Sequence, residues 1–484
     1  MNNLDFDNFP FVWPPLDHQK DEFVNHRDDL MRGLLWDPGT GKSKVGIDKM
    51  AYLYMTGKID AVIIMAKKGE YTNWKNVELP EHMPPSVEYD CEIYRSGLKE
   101  FEKQRLRDLV KPSNRLRILN INAESMLHEG GLVAKAFAKS RRTGLMFILD
   151  ESTLAKNHKS ARSKEVYKLA TFAKYRMIMT GTFATHSPMD VWGQSLVLGG
   201  NLGTTSFFSF KSTYCIEEPQ YFGQRTFKKV VGYRDLDKLN AKIKTFASIK
   251  TREECFDLPP KIYKKVAIEL TDEQADMYES MRDMALAEFG ENVVVEATSA
   301  MDIVSKLDQI AVGQLKLEDG SFRILKNNRV ESVLTRLEDT NSKGIIWCNY
   351  RGMLEHLYEQ IRINFGVDKV ARYYGGVPDG EREKAVADFQ SPESGLQWIV
   401  ANQQSLGYGR TLIQGRENHY VSNGYNLEHR LQSEDRTMRL GQTESVLYYD
   451  YYAPKTVNEK IYVNLRGKKS MMAEILGTPL RAWI

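Results

Sequence analysis

Two series of short apolar runs constrain the fold of this chain more than any other feature. Each run has the length of a β-strand, and segments with helical periodicity separate the runs. Strands that alternate with helices are typical of parallel sheets that carry helices on both faces. The sequence therefore predicts an α/β protein with two doubly wound parallel-sheet domains. The first series is Ala61–Met65, Arg117–Ile121, Phe147–Leu149 and Arg176–Met179, and the second is Gly344–Cys348, Gln397–Ala401 and Val446–Tyr449.

Chain length also requires more than one hydrophobic core. At 484 residues the chain exceeds the size at which single cores stop growing, about 250–300 residues. The Pro259-Pro260 step marks a boundary, because the residue before a proline disfavours helix. We expect the first domain at residues 1–204, a helical insertion or linker at 205–258, and the second domain at 259–484, with a helical insertion at about 272–330.

Composition excludes several classes of protein. The formal net charge is only +3, so no global field attracts nucleic acid. The four cysteines form no C-x2-C pair, which argues against zinc and against a disulfide framework, and is typical of a reducing compartment. The first residues lack the basic and apolar regions of a signal peptide, and no apolar run approaches the ~20 residues of a membrane span. We therefore expect a cytoplasmic protein without membrane contact.

A glycine-rich turn stands between the predicted strand Gly33–Trp36 and the predicted helix Val45–Ala51. This order of elements is the context of a phosphate-binding loop, in which backbone N–H groups surround phosphates. Lys42 would reach the β- and γ-phosphates, and Ser43 would hold Mg²⁺. The strict G-x4-G-K-[ST] pattern asks for glycine where this chain has Trp36, so the prediction depends on the last five residues. These residues are Gly39, Thr40, Gly41, Lys42 and Ser43.

An acidic pair, Asp150-Glu151, ends the apolar run that begins at Leu145. Such a run predicts a buried parallel strand whose carboxyl end meets solvent. Ligands of open α/β sheets bind at that end. Asp150 is therefore a candidate for the Mg²⁺ site, and Glu151 is a candidate for orienting or deprotonating the attacking water.

A third constellation, Gln432, Arg436 and Arg439, has the spacing Q-x3-R-x2-R. On a helix these positions share a face, so the sequence predicts one helix that directs all three side chains to one place. Guanidinium groups are planar and always charged, and they suit the charge that develops on phosphate oxygens. We expect ATP in a cleft between two lobes, with Mg²⁺ and with arginines supplied by the second lobe. The predicted catalytic residues are Lys42, Asp150, Glu151, Gln432, Arg436 and Arg439.

Residues from about 16 to 465 resemble the SNF2 family of superfamily 2 helicase-like ATPases. Residues 432–442 match the family's sixth motif, Q-A-x-D-R-x-x-R-x-G-Q, at nearly every fixed position, with Ser433 where alanine is usual. Thr456–Ile461 is similar to the family's T-V-D-E-K-I, and Thr180–Thr182 resembles its third motif. The resemblance implies two RecA-like domains with helical insertions between them.

The resemblance also implies roles for further residues. Gln19 resembles the amide of the adenine-reading region. Thr180, Gly181 and Thr182 would couple the nucleotide to the rest of the motor. The positions that match motifs facing nucleic acid are Lys67, Lys68, Lys159, Tyr350, Arg351 and Gln404.

The second motif departs from the family pattern. The family has D-E-G-H or D-E-A-H, whereas this chain has Asp150-Glu151-Ser152-Thr153. The missing histidine removes the usual contact to the third motif, and a hydroxyl at Ser152 or Thr153 is the candidate substitute. Such a compact motor is more similar to viral or bacterial members than to nuclear remodelers, which predicts location in a bacterial host cell if a phage encodes it.

The function expected from these residues is that of an ATP-dependent DNA translocase or helicase. We expect it to act as a monomer and to bind DNA mostly through phosphates, with duplex or branched DNA favoured by the resemblance. One alternative is a nucleotide-switched nucleic-acid clamp without motor activity, and another is an RNA helicase. The apparent presence of a catalytic base at Glu151 and of Arg436 and Arg439 favours the enzyme over the clamp.

Overall fold

The chain folds into two compact units in a computed structural model, which describes residues 6–68, 70–184, 187–200, 202–222, 225–289, 297–317, 319–406 and 411–476. The first unit holds the described residues of Met1–Glu218, Val230–Phe256 and Met471–Ala482. The second holds those of Pro219–Lys229 and Asp257–Ser470. Among the helices of these described ranges, none is long and apolar enough to cross a membrane.

The strands include every run predicted from the sequence. In chain order they are β1 (Met31–Trp36), β2 (Ala61–Ala66), β3 (Tyr89–Ile93), β4 (Leu116–Asn122), β5 (Leu145–Asp150), β6 (Tyr175–Met179), β7 (Cys215–Phe222), β8 (Arg225–Tyr233), β9 (Ala247–Lys250), β10 (Lys261–Ala267), β11 (Gln314–Lys316), β12 (Phe322–Ile324), β13 (Lys343–Trp347), β14 (Val370–Tyr373), β15 (Trp398–Ala401), β16 (Gly415–Tyr420) and β17 (Val446–Tyr452).

The helices lie mostly between these strands, as the alternation predicts. In chain order they are α1 (Asp17–His26), α2 (Lys42–Met55), α3 (Glu70–Asn73), α4 (Leu79–His82), α5 (Glu100–Leu109), α6 (Glu129–Lys139), α7 (Ala161–Ala170), α8 (Met189–Val197), α9 (Phe207–Tyr214), α10 (Leu236–Lys244), α11 (Arg252–Cys255), α12 (Asp272–Phe289), α13 (Ala297–Val312), α14 (Asn328–Glu338), α15 (Arg351–Phe365), α16 (Asp379–Gln390), α17 (Gln403–Leu406), α18 (Leu427–Glu434) and α19 (Val457–Leu476).

The first unit is built on a seven-stranded sheet with the order β3-β4-β2-β5-β6-β1-β9. All of its neighbouring strands run parallel. The sequences of β2 and β5 are almost entirely apolar, because helices cover both faces of the sheet. Trp36 and Trp74 are among the largest side chains that are fully buried in this core.

The second unit repeats the architecture with a six-stranded parallel sheet of order β10-β17-β16-β13-β15-β14. The core of its described residues includes three clusters, one with Cys348 and Leu357, one with Trp347 and Tyr448, and a smaller one with Ile310. The expected fold class, two doubly wound parallel-sheet domains, is confirmed.

The segment 205–258, which the sequence predicts as a helical insertion or linker, contains the helices α9, α10 and α11 but also three strands. It holds the two-stranded sheet β7–β8 and also β9, which pairs with β1 from Gly33↔Ala247 to Trp36↔Lys250. β9 was missed because it has only four residues, of which Ser248 and Lys250 are polar. The first unit therefore continues to Phe256, close to the predicted Pro259-Pro260 boundary.

Candidate functional site

The carboxyl ends of β1, β2, β5 and β6 lie on one edge of the first sheet. This follows from the parallel pairing, in which Asp150 on β5 stands opposite Met179 on β6, and Met179 stands opposite Leu34 on β1. The loops that follow these strands carry the phosphate loop, the Asp-Glu pair and the Thr-Gly-Thr motif. The fold thus brings together motifs that are far apart in the sequence.

The phosphate loop contains two glycines in the left-handed region, Gly39 and Gly41, each with φ of +81°. A Cβ on Gly41 would lie 2.1 Å from Nε2 of Gln19, so a side chain would displace that amide. A Cβ on Gly39 would meet no atom within 4 Å, which means that the backbone there faces open space. An open left-handed glycine beside a helix N-terminus is the cradle that phosphate oxygens require.

Lys42 and Thr40 are held by backbone carbonyls of the same turn. Nζ of Lys42 donates to the carbonyls of Trp36 at 2.7 Å and Asp37 at 3.0 Å. Oγ1 of Thr40 donates to the Asp37 carbonyl at 2.7 Å. The ammonium group therefore lies at the carboxyl end of β1.

Helix α1 also packs against the phosphate loop. Nε2 of His18 lies 2.8 Å from the Thr40 carbonyl, and Nε2 of Gln19 donates to the Gly41 carbonyl at 3.3 Å. Oε1 of Gln19 accepts from the Leu16 N–H at 2.9 Å. The Gln19 amide thus holds the loop, and the adenine-reading role implied by the resemblance remains a prediction.

Arg252 also holds the phosphate loop, although no sequence motif marks this residue. Its N–H donates to Oδ2 of Asp37 at 2.9 Å, and its guanidinium donates to the Pro38 carbonyl at 2.6 Å. Arg252 begins α11, directly after β9 and Thr251, and β9 lies beside β1. Because this contact depends on the pairing of β9, no local motif could have revealed it.

Trp36, the departure from the strict phosphate-loop pattern, is accommodated inside the core. It is the last residue of β1 and has no exposed surface. Its indole Nε1 donates to Oγ of Ser248 on β9 at 2.8 Å. The core accommodates the large side chain, and the five-residue loop forms without a glycine at this position.

Asp150 lies in a group of side chains whose oxygen atoms can act as metal ligands, and this group extends to Ser43. Its Oδ2 accepts from Nε1 of Trp74 at 2.8 Å. Burial raises the pKa of Asp150, and the nearby carboxylate of Glu70 raises it further. Glu78 accepts a hydrogen bond from Ser43, and burial, followed by the charge of Asp150, raises the pKa of Glu78.

This set of oxygen atoms fits Mg²⁺. Hard divalent cations prefer carboxylate and hydroxyl oxygens, and a cation would relieve the repulsion between Asp150 and Glu78. Trp74 and Glu78 lie on one π-helical turn, Trp74–Glu78. The sequence singled out Ser43 and Asp150 but missed Glu78, whose position depends on this turn.

Glu151 adopts a left-handed backbone, with φ of +62°. Such a conformation costs of order 1–3 kcal/mol for a residue other than glycine, and is usually maintained by surrounding contacts. Oε1 of Glu151 accepts from Oγ1 of Thr180 at 2.5 Å and from Oγ1 of Thr153 at 3.1 Å, and Oγ1 of Thr182 lies 3.5 Å away. The carboxylate is therefore oriented by hydroxyl groups of the second and third motifs.

A second connection joins these motifs without the missing histidine. Oγ of Ser152 donates to Oε1 of Gln194 at 2.6 Å, and Nε2 of Gln194 donates to the Phe183 carbonyl at 2.6 Å. Both Ser152 and Gln194 have no exposed surface. The candidate substitutes at Ser152 and Thr153 thus both make hydrogen bonds, and Ser152 acts through Gln194, which the sequence analysis did not single out.

Gly181 links the third motif to the phosphate loop. A Cβ on Gly181 would lie 2.6 Å from Cδ of Pro38, so only glycine permits this approach. The N–H of Thr182 donates to Oγ1 of Thr180 at 3.0 Å, which orients the hydroxyl toward Glu151. The three predicted coupling residues therefore contact both nucleotide motifs of the first unit.

In the second unit, the predicted single helix for Gln432, Arg436 and Arg439 is wrong. Helix α18 ends at Glu434, so Gln432 lies in its last turn, and both arginines follow it in turns. Nε of Arg436 donates to the Gln432 carbonyl at 2.8 Å, and Nε of Arg439 donates to the Asp435 carbonyl at 3.0 Å. The two guanidinium groups thus donate hydrogen bonds to backbone carbonyls in the last turn of α18 and just after it.

The three side chains differ in exposure and partners. Gln432 and Arg436 are buried, whereas Arg439 is partly exposed and donates to Oγ1 of Thr411 at 2.8 Å. Nε2 of Gln432 lies 3.4 Å from Oε1 of Glu428. The segment 432–439 therefore has a defined conformation, although it is not one continuous helix.

A buried ionic cluster underlies this segment. Glu434 accepts from Lys469 at 2.9 Å, Arg430 at 2.8 Å and the Tyr263 hydroxyl at 2.7 Å. Arg430 also pairs with Asp450. Burial alone would raise the pKa of Glu434, but the nearby Lys469, Lys261 and Arg430 hold it well below its usual range.

The cluster draws its residues from β10, β17, α18 and α19, so it joins the arginine segment to the sheet. The sequence analysis missed it. Lysine and arginine spaced this widely give no local pattern, and Lys469 lies in a helix whose neighbouring positions are polar as well.

The residues predicted to face nucleic acid lie in several places. Lys68, Lys159, Arg351 and Gln404 are exposed, and Lys67 is partly exposed at the end of β2. Tyr350 is partly buried, and its hydroxyl donates to Asp308. Tyr350 and Gln404 line one cavity of the second unit, and the structure brings no others of this set into it.

Each unit is built on a parallel sheet, and the motifs lie at or near strand ends. Together these features define a helicase-like protein with RecA-like folds. A model of the SNF2-related domain matches residues 25–314, more than half of the chain, and a model of the helicase conserved C-terminal domain matches residues 325–441. The chain therefore belongs to the SNF2-related family. The family expected from the motifs is confirmed.

Similar proteins include the DNA annealing helicase and endonuclease ZRANB3 of Mus musculus, 23% identical over 69% of this chain and 30% of that protein. The ISWI chromatin-remodeling complex ATPase ISW2 of Saccharomyces cerevisiae is 21% identical over 90% of this chain and 38% of that protein. The chain thus spans less than two fifths of the length of these relatives. A solved structure of the Sulfolobus solfataricus SWI2/SNF2 ATPase core in complex with dsDNA is 21% identical, with a TM-score of 0.41, and the match covers 98% of this chain and 95% of that one.

Proposed function

We propose that this protein is an ATP-dependent DNA translocase or helicase of the SNF2 type. The observation that carries the proposal is the orientation of Glu151 by Thr180, at the same strand edge as the phosphate loop. A carboxylate fixed in this way suits the activation of water. A protein that only switched between nucleotide states would have no need for it.

The residues of the first unit would have separate roles in ATP hydrolysis. The open backbone at Gly39 and the ammonium of Lys42 bind phosphate oxygens. Glu151 orients the attacking water and accepts its proton, and Thr180 keeps the carboxylate in place. Ser43 and Asp150, with Glu78 beside them, would hold Mg²⁺. When bound, Mg²⁺ neutralises the charge that develops on the phosphates.

The second unit would supply positive charge to the transition state. Arg436 and Arg439 are the candidates, because a guanidinium can bind two phosphate oxygens at once. An arginine supplied in this way is worth about 10³–10⁵ in turnover in related phosphoryl transfers. We infer that these arginines complete the machinery of hydrolysis and that hydrolysis is coupled to movement on DNA.

DNA is the proposed partner. The relatives named above include a DNA annealing helicase and a chromatin-remodeling ATPase. With a net charge of only +3, binding should depend on local contacts, mostly to phosphates, and should weaken steeply with salt. We propose that the protein works as a monomer on duplex or branched DNA.

Steady-state ATP hydrolysis tests this proposal. Turnover would be measured at one salt concentration with duplex DNA, forked DNA, single-stranded DNA, RNA and no polymer. We expect strong stimulation by duplex or forked DNA and little by RNA. Glu151→Gln should bind ATP nearly as well as the native protein but hydrolyse it poorly, whereas Lys42→Ala should lose both properties.

Two results would contradict the proposal. Equal turnover with every polymer and without polymer would favour a nucleotide-switched clamp. Preferential stimulation by RNA would favour an RNA helicase.

A further inference from the structure

A cavity of about 620 Å³ opens in the second unit at the carboxyl edge of its sheet. Its walls include Asn349, which follows β13, Asn402, which follows β15, and Asn423, which follows β16. Val304 of α13 and Ile461 of α19 also line it. The volume is typical of sites for small organic groups, which measure about 300–1,000 Å³.

The chemistry of the cavity favours a neutral ligand that forms hydrogen bonds. None of the described residues that line it is lysine or arginine, so the cavity lacks the side chains that bind phosphate. Its formal charge comes from Asp308, with His429 as a further titratable group. Six side-chain carboxamides line it: Asn349, Asn402, Gln403, Gln404, Asn423 and Asn426.

One of these carboxamides has an unsatisfied donor. Gln403 is only 2% exposed, and its Nε2 has no hydrogen-bond partner within the described part of the chain. The amide of Asn423, in contrast, is engaged by Arg430 and Asp450. A buried donor without an acceptor costs about 1–3 kcal/mol, so a turn of the Gln403 side chain that brought Nε2 to an acceptor atom of a ligand in the cavity would be favoured.

Another part of the lining is aromatic and is held by hydrogen bonds. The hydroxyl of Tyr350 donates to Asp308, and Nδ2 of Asn458 donates to the same carboxylate at 2.8 Å. Arg329 in turn donates to Oδ1 of Asn458 at 3.1 Å. These bonds fix the ring of Tyr350 beside the carboxamides, and fixed side chains lose little entropy when a ligand binds.

We propose that this cavity receives one unpaired nucleobase of DNA. Carboxamides pair with the donor and acceptor edges of bases, and every base can stack on an aromatic ring. A base that is already unpaired costs least to bring into a pocket. This proposal rests on the proposed DNA-dependent function and specifies its substrate as DNA that contains an unpaired base.

Binding of two matched DNA duplexes tests the proposal. One carries a single bulged adenosine nucleotide, and the other carries an abasic residue at the same position, so the backbones are the same and only the base differs. We expect the native protein to bind the bulged base about tenfold more tightly, the effect of one well-paired or stacked base. Equal affinity for the two duplexes would overturn the proposal.

Two variants locate the effect in the cavity. Gln403→Leu removes the unsatisfied amide, and Val304→Trp fills the cavity from α13. In both variants the ratio of the two affinities should fall to about one, whereas Gln104→Leu, at an exposed position of α5, should keep the ratio near ten. A ratio near ten in both cavity variants would contradict the assignment to this cavity.

A titration with free deoxyadenosine separates a base within DNA from a soluble nucleoside. We expect the bulged duplex to bind at least about tenfold more tightly than the nucleoside, because phosphate contacts add to its affinity. Tighter binding of the nucleoside would overturn the assignment to DNA. Failure of the proposed function itself has a different signature, which is the absence of ATPase stimulation by fully paired duplex.

Discussion

The nucleotide site of the first unit and the arginine segment of the second are assembled in opposite ways. The nucleotide site brings together residues from across the sequence, such as Gly39, Glu151 and Thr180, at the ends of neighbouring parallel strands. The arginine segment is continuous in sequence from Gln432 to Arg439, but its support comes from elsewhere in the unit.

The difference shows which interactions keep the functional residues of each site in position. In the first unit, neutral hydroxyl and backbone groups hold the functional side chains, and Thr180 is an example. In the second, fully buried charges hold the segment, with Glu434 at their centre. Removal of one hydroxyl costs little, whereas removal of one partner from a buried ionic cluster leaves a charge without compensation.

The largest effect should come from the arginines themselves. Arg436→Ala and Arg439→Ala should each lower DNA-stimulated turnover, by about 10³-fold for a residue that contacts the transferring phosphate. ATP binding should fall much less, because the proposed role concerns the transition state. Single-turnover hydrolysis and nucleotide titration would measure the two effects. Near-normal turnover in both variants would show that the segment has no part in hydrolysis; Arg362→Ala, in a surface ion pair on α15, serves as the control.

The ionic cluster should dominate stability. Lys469→Met leaves Glu434 with fewer positive neighbours in a fully buried position, so the second unit should lose about 3–5 kcal/mol of unfolding free energy. Lys460→Met, at an exposed position of the same helix, should lose less than about 0.5 kcal/mol. Calorimetry of both variants would measure the difference, and equal stability would mean that the cluster does not support the arginine segment.

A hydroxyl of the first unit should have a smaller effect. Thr180→Val removes the donor to Glu151 but preserves the shape of the side chain, so hydrolysis should fall about 10–100-fold as the carboxylate loses its orientation. ATP affinity should stay nearly constant. Thr171→Val, at an exposed position after α7, is the matched control. A Thr180→Val variant with native turnover would show that Thr153 and Thr182 are sufficient to orient Glu151.

The smallest effect is a pH dependence in the first unit. Burial lowers the pKa of Lys49 on α2 to about 8, and its ammonium donates to the carbonyls of His26 and Asp29. The unfolded chain keeps an ordinary lysine pKa near 10.4, so it binds more protons than the folded chain between about pH 8 and 10. Unfolding free energy should therefore rise with pH in that window by up to about 1.4 kcal/mol per pH unit from this group.

Lys49→Met tests this sign. Denaturant titrations of the native protein and the variant at pH 8 and pH 10 would give the two slopes. The slope of the variant should be smaller by the contribution of Lys49. An identical slope in the two proteins would mean that Lys49 keeps its proton throughout this range.

Much of the first unit could be predicted from the sequence. The apolar runs defined the central strands, and the rule that parallel strands share a carboxyl edge placed Lys42, Asp150 and Thr180 together. The contacts of Arg252 and Glu78 could not be predicted. Arg252 depends on the pairing of the short strand β9, and Glu78 depends on a π-helical turn, and neither has a distinctive local pattern.

In the second unit, by contrast, the candidate residues could be predicted but their local structure could not. The Q-x3-R-x2-R spacing singled out Gln432, Arg436 and Arg439 as candidates, yet the helix predicted from that spacing ends at Glu434. Helical spacing describes a face only while backbone carbonyls remain bonded to backbone N–H groups. Here the guanidinium groups bind carbonyls at and after the helix end, and Thr437 donates to the Glu434 carbonyl at 3.2 Å.

Movement on DNA is the most direct test of the central claim, that hydrolysis at the first unit drives a motor. A short third strand bound to a duplex, at a distance from the loading site, would be displaced by a protein that travels along the duplex. We predict displacement that requires ATP, that is lost in Glu151→Gln and that slows in Arg439→Ala in proportion to hydrolysis. DNA-stimulated hydrolysis by the native protein without displacement of the third strand would contradict the account.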